Sequence, residues 1–116
     1  MFSRNVVLEI LASLEKDGSD FALDTVKTLR AMCPVSLRVT REALRRGHAM
    51  SLADCLKMEY GMTQRFMRHS DFYEGVRAIL VDKDRSPKWS NRSLEEVPDE
   101  LVGSFFDPQP LKLDLN

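Results

Sequence analysis

Nothing in this sequence supplies the usual parts of an enzyme active site. It contains no GxSxG elbow, no glycine-rich phosphate loop and no HExxH pair. Its two histidines, His48 and His69, have no His, Cys or Asp at metal-ligand spacing, so each is expected at a solvated helix end. Glu95 and Glu96 are adjacent, point apart and read as solvent-facing charge. No catalytic residue, metal or cofactor is expected from the residues themselves. Cysteine is scarce too: Cys33 and Cys55 lie in apolar surroundings without CxxC spacing; they could pair, but two buried thiols in a reducing compartment are expected. No apolar run approaches the roughly 18 residues of a membrane-spanning helix. Charge of one sign is not in excess. Lys and Arg number 17 against 18 Asp and Glu, a net charge of -1 that excludes a generally basic nucleic-acid binder but not a local patch. The start, MFSRNVVLEILASLEK, is too acidic for a transit peptide and has no cleavage site, and the final DLN matches no peroxisomal signal, so no targeting signal is read.

What is present is helical periodicity. At 116 residues with 43% hydrophobic side chains, the chain suits one domain with a real core. No segment alternates with period two, so the class is all-α, five to six helices. The first helix is predicted from Asn5 to Lys16, capped by Ser3, with Val6, Val7, Ile10, Leu11 and Leu14 on one face. Asp17-Gly18-Ser19 makes a turn, and Ser19 or Asp20 caps a second helix to Met32 with Ala22, Val26 and Leu29 inward. Pro34 ends that helix through Cys33 and opens a third, which runs to Arg46 and stops at Gly47 as a left-handed cap. Ser51 caps a fourth helix to His69, with Leu52, Cys55, Leu56, Tyr60, Met62, Phe66 and Met67 as its apolar set. Ser70 caps a fifth, with Glu74 at the capping-box position and Phe72, Val76, Ile79 and Leu80 inward. A short helix is expected from Pro98 to Phe106. Residues 1–106 thus read as one helical domain and 107–116 as an extended tail.

Two charge patterns stand out. Arg38, Arg41 and Arg45 are spaced i, i+3, i+7 and share one face of the third helix. That face is either solvated, opposite Leu37 and Leu44, or a phosphate contact, to a nucleotide or to RNA backbone. Asp82, Lys83, Asp84 and Arg85 alternate in sign, as a solvated turn does. The methionines Met58, Met62 and Met67 on the fourth helix suit core filling or subunit packing. The apolar faces are broad for five short helices, which leaves burial against something outside the chain open.

The stretch Asp71-Phe72-Tyr73-Glu74-Gly75-Val76-Arg77-Ala78, continuing through Asp82-Lys83-Asp84 to Pro87-Lys88-Trp89, closely resembles the carboxy-terminal signature of the 3-hydroxyisobutyryl-CoA hydrolases. These belong to the enoyl-CoA hydratase/isomerase (crotonase) superfamily. Asp17-Gly18-Ser19-Asp20-Phe21-Ala22, Pro34-Val35-Ser36-Leu37-Arg38-Val39-Thr40 and Met58-Glu59-Tyr60 resemble further stretches of the same family. The resemblance covers essentially the whole chain. It implies the helical region of a crotonase-type protein without its ββα spiral core. That core supplies an oxyanion hole and catalytic carboxylates, none of which has a counterpart here.

The implied role is to close an acyl-CoA pocket and aid subunit packing in a mitochondrial thioester hydrolase of valine breakdown, with no activity alone. The implied partners are the core, other subunits and, through the core, an acyl-CoA. Gly75 would be a close-packing point and Trp89 an anchor, while Lys83 or Lys88 would reach a CoA phosphate. The alternative is a non-catalytic docking protein, such as a hydrolase-like mitochondrial ribosomal subunit, with the Arg38, Arg41 and Arg45 face set against RNA.

Overall fold

Asn5 begins the fold in the computed structural model, which describes residues 5–115. Its Oδ1 accepts from the Leu8 N–H at 3.2 Å and its Nδ2 donates to the Leu94 carbonyl, so one side chain caps α1 (Val6–Asp17) and ties it to a distant turn. The expected cap, Ser3, lies outside the described residues. Gly18, at φ +71°, turns the chain in the left-handed conformation that favours glycine, and its N–H closes on the Leu14 carbonyl at 3.2 Å. Ser19 then caps α2 (Asp20–Ala31) through the Ala22 N–H, and α2 packs back on α1. Pro34 occupies the first position of α3 (Pro34–Gly47), where its missing N–H has no helical partner to lose. Ser51 caps α4 (Leu52–Phe66) through the Asp54 N–H.

Beyond α4 the local rules compete with tertiary contacts. The chain turns through Met67 to His69, three residues earlier than expected, and α5 (Ser70–Val76) starts with Ser70 already helical. Its cap is His69, whose Nδ1 accepts from the Asp71 N–H at 3.1 Å. Glu74 does not complete a capping box, because two stronger donors claim its carboxylate further along. α5 widens into a π-helical turn at Arg77–Val81, closed by the Asp82 N–H on the Arg77 carbonyl. An irregular segment leads to a 3-10 turn at Leu94–Glu96 and to α6 (Asp99–Ser104), with extended Pro98 just ahead of it rather than at its first position. Six α-helices and no strand make the described residues all-α.

Two small cores hold these elements. Val35 and Val39 of α3 meet Val97, Val102 and Phe105, with Met62 and Phe66 of α4 packed on the edge. Val7 and Leu11 of α1 meet Leu94, flanked by Val26, Leu29 and Leu37. Each fully buried Val, Leu or Phe contributes roughly 1.5–3 kcal/mol relative to exposure. α3 is the shared post. Gly47 is right-handed helical rather than a left-handed cap, and the chain bends after it at His48. A Cβ at Gly47 would stand 3.4 Å from the Cys55 Sγ, an ordinary contact, where the end of α3 meets α4. The inward stripe expected for α5 is also corrected. Asp71 and Ala78 are buried, whereas Phe72, Ile79 and Leu80 are exposed, because no element among the described residues covers them.

Candidate functional site

The segment from Asp71 to Trp89 is organised by two carboxylates on α5. Asp71 is buried; its Oδ1 accepts from the Ser90 N–H at 2.7 Å, and its Oδ2 from the Ser90 hydroxyl at 3.0 Å and the Cys33 thiol at 3.4 Å. Glu74 receives the Arg77 guanidinium as a fork, at 2.8 and 2.7 Å, and also the Lys88 N–H at 2.7 Å. These bonds fasten both ends of the segment around Trp89 to one helix. Hydrogen bonds from Arg77, then from the Lys88 backbone, hold the Glu74 carboxyl down at about 2. Hydrogen bonds from Glu74, Asp84 and Asp82 push the Arg77 guanidinium above its already high ordinary value.

The alternating charges are therefore more than a solvated turn. Arg77 Nη1 reaches Asp82 at 2.9 Å and Asp84 at 2.8 Å. Lys83 and Arg85, both left-handed at φ 56° and 54°, bend the chain so that the Arg85 N–H meets the Ala78 carbonyl. Such a conformation costs a residue with a side chain on the order of 1–2 kcal/mol, and the Arg77 contacts to Asp82 and Asp84 flank the bend.

Trp89 stands where this wrapping ends. Gly75 faces its ring, and a Cβ there would be 3.4 Å from the indole, an ordinary contact distance. The indole separates two apolar hollows that both reach Cys33 and Ser36. One, of about 360 Å³, is walled by Phe72, Val76, Ile79 and Leu80. The other, of about 550 Å³, is walled by Val7, Ile10, Met32, Leu37 and Leu44. Burial pushes the Cys33 thiol up, away from the thiolate a nucleophile needs. Cys33 and Cys55 are both free thiols.

The structure separates the sequence-derived candidates. Lys83 and Lys88 are exposed on the turn, and neither lines a hollow around the half-buried Trp89. Arg38, Arg41 and Arg45 do not share an open face. Arg38 is buried, donating to the Val97 carbonyl at 3.0 Å and to Asp99 at 2.7 Å, because the segment leading into α6 covers that side of α3. Arg45 forks onto Glu42, which Arg46 also contacts at 2.7 Å. Burial raises the Glu42 carboxyl, but the two arginines outweigh it and leave it below its ordinary value. Arg41 alone of the three lines the larger hollow, so any phosphate contact from this face rests on Arg41.

Sequence reasoning missed the interior polar groups. His69 is buried against Phe105, with ring centroids 5.8 Å apart, instead of lying at a solvated helix end, whereas His48 is exposed as expected. Asp71 gave no signal beyond its motif. Among the described residues no group of His, Cys, Asp and Glu could hold a metal ion, and no helix is long and apolar enough to cross a membrane. The arrangement suits packing: apolar hollows around a fixed indole, with the Asp71 and Glu74 carboxylates already engaged.

The enoyl-CoA hydratase/isomerase family profile matches residues 1–106. The mitochondrial 3-hydroxyisobutyryl-CoA hydrolase of Gallus gallus is 49% identical over 93% of this chain and 28% of its own length. That of Homo sapiens is 47% identical over 90% of this chain and 27% of its own. The crystal structure of an enoyl-CoA hydratase from Rhodobacter sphaeroides 2.4.1 superposes with a TM-score of 0.84 at 38% identity, covering 93% of this chain and 33% of that one. The chain thus spans about a third or less of the length of these relatives. Its helices, its motif around Trp89 and these matches agree: the chain belongs to the enoyl-CoA hydratase/isomerase family.

Proposed function

We propose that the chain is the helical portion of a 3-hydroxyisobutyryl-CoA hydrolase-like thioester hydrolase of valine breakdown in mitochondria. In this reading it packs on a catalytic core, helps to close the acyl-CoA pocket and aids subunit packing, and has no turnover alone. The observation that carries it is the open apolar surface on both sides of Trp89. Ile10, Met32, Leu44, Phe72, Ile79 and Leu80 are all exposed there, an unusual concentration for a finished surface. The relatives' names, and the small share of their length that is matched, supply the identity of the expected cover.

Co-expression with the unmatched remainder of the Gallus gallus relative tests this. The pair is expected to co-purify and to hydrolyse 3-hydroxyisobutyryl-CoA, the chain alone is not, and Leu44→Asp or Leu80→Asp in the hollows is expected to abolish association. Turnover by the purified chain, lost on mutating one of its own residues, would contradict the reading. In the reconstituted pair, a CoA affinity unchanged by Lys83→Ala with Lys88→Ala would remove those lysines from the pocket.

A further inference from the structure

A third cavity lies away from Trp89, between α4, the end of α3 and the tail that follows α6. The tail is clamped to α4 at two points. Gln64 and Leu111 exchange hydrogen bonds, Nε2 to the carbonyl at 2.9 Å and N–H to Oε1 at 3.0 Å, as a strand neighbour would. The buried Gln109 accepts from Arg68, donates to the Asp107 carbonyl and lies over Gly61, where a Cβ would be 3.5 Å from it. Between these points and the end of α3 the tail encloses about 300 Å³, within the range of small-ligand sites.

Its walls are chiefly apolar: Met50, Met58, Phe106, Pro108 and Leu113. The charges in the lining are Arg46, Lys57, Lys112 and Asp107. Arg46 is engaged by Glu42 and lies 4.3 Å over the Phe106 ring, which fixes it as wall. No ion pair with a described residue is formed by Lys57 or Lys112, so two ammonium groups stand against one exposed carboxylate.

We propose that this tail-covered cavity binds a small amphiphilic monoanion, a medium-chain carboxylate, with its carboxylate on Lys57 and Lys112 and its chain along Met58 and Phe106. The surplus of positive charge in the lining suits a carboxylate, and the methionines give a wall that adapts to a flexible chain. The site is separate from the Trp89 surface and does not depend on what covers that surface.

Amide-resolved NMR titration of the full chain with octanoate tests it. Saturable shifts are expected at Gly61, Phe106 and Leu111, with octyltrimethylammonium binding at least tenfold more weakly. Lys57→Gln with Lys112→Gln is expected to weaken octanoate at least tenfold while leaving octanol unchanged, and Met58→Trp, which fills the cavity, to abolish both. Two results would overturn the proposal: no saturable shift up to millimolar octanoate, or equal affinity for the cationic and anionic amphiphiles. Spectra of the variants report their folding directly, and the charge pair, being exposed, leaves the core intact should Met58→Trp perturb it.

Discussion

α3 and α4 are nearly equal in length, 14 and 15 residues, yet they are used in opposite ways. α3 buries Pro34, Val35, Arg38, Val39 and Glu42, whereas α4 buries no residue. The difference does not come from a lack of apolar side chains on α4. Met62 and Phe66 lean on the core, while Leu52, Leu56 and Tyr60 lie open on the helix. α3 meets partners within the chain on two sides; α4 meets them on one and offers the other outward. Amphipathic patterning records which side chains favour burial, and only the rest of the assembly determines whether they obtain it.

The contrast can be broken most sharply at the core α3 organises. Phe105 is fully buried and in ring contact with Phe66, so Phe105→Ala is expected to cost about 3–5 kcal/mol, measured by urea unfolding. Arg38→Met should cost about 1–3 kcal/mol by the same measurement, because it leaves the Val97 carbonyl without its side-chain donor. The buried Glu42 gives α3 an acid sensitivity. Its carboxyl lies below the ordinary 4.5 in the fold, so its contribution is complete above that value and is lost as pH falls through the lowered one. Thermal midpoints across that acid range should fall less steeply in Glu42→Gln than in the parent. On α4, Leu56→Ala should change unfolding of the isolated chain by no more than about 0.5 kcal/mol. A large loss there would mean that α4 is already covered within this chain.

The sequence is a sound guide where local chemistry decides the outcome. Gly18, Ser19, Pro34 and Ser51 act as their turn and capping chemistry predicts. The errors fall where a distant group overrides the neighbourhood. Ser70 lost the cap to His69, whose place is also set by Phe105. Glu74 had a capping-box offset, but the Arg77 fork and the Lys88 N–H hold it instead. The i, i+3, i+7 spacing of Arg38, Arg41 and Arg45 was correct as helix geometry, yet it carried no information about the segment that buries Arg38. Of the candidate site, the motif marked Gly75 as a packing point and Trp89 as an anchor, but not that the two face each other. The hollows were not, since residues from α1, α2, α3 and α5 meet there only after folding.

Trp89 is the only tryptophan in the sequence, and it is half-buried between the two hollows. Excited selectively over the two tyrosines, its indole therefore reports on the surface expected to be covered. Covering that surface removes water from the indole and shifts its emission to the blue, whereas filling the tail cavity, whose lining does not include Trp89, leaves it unchanged. One optical signal thus separates the two surfaces without a label.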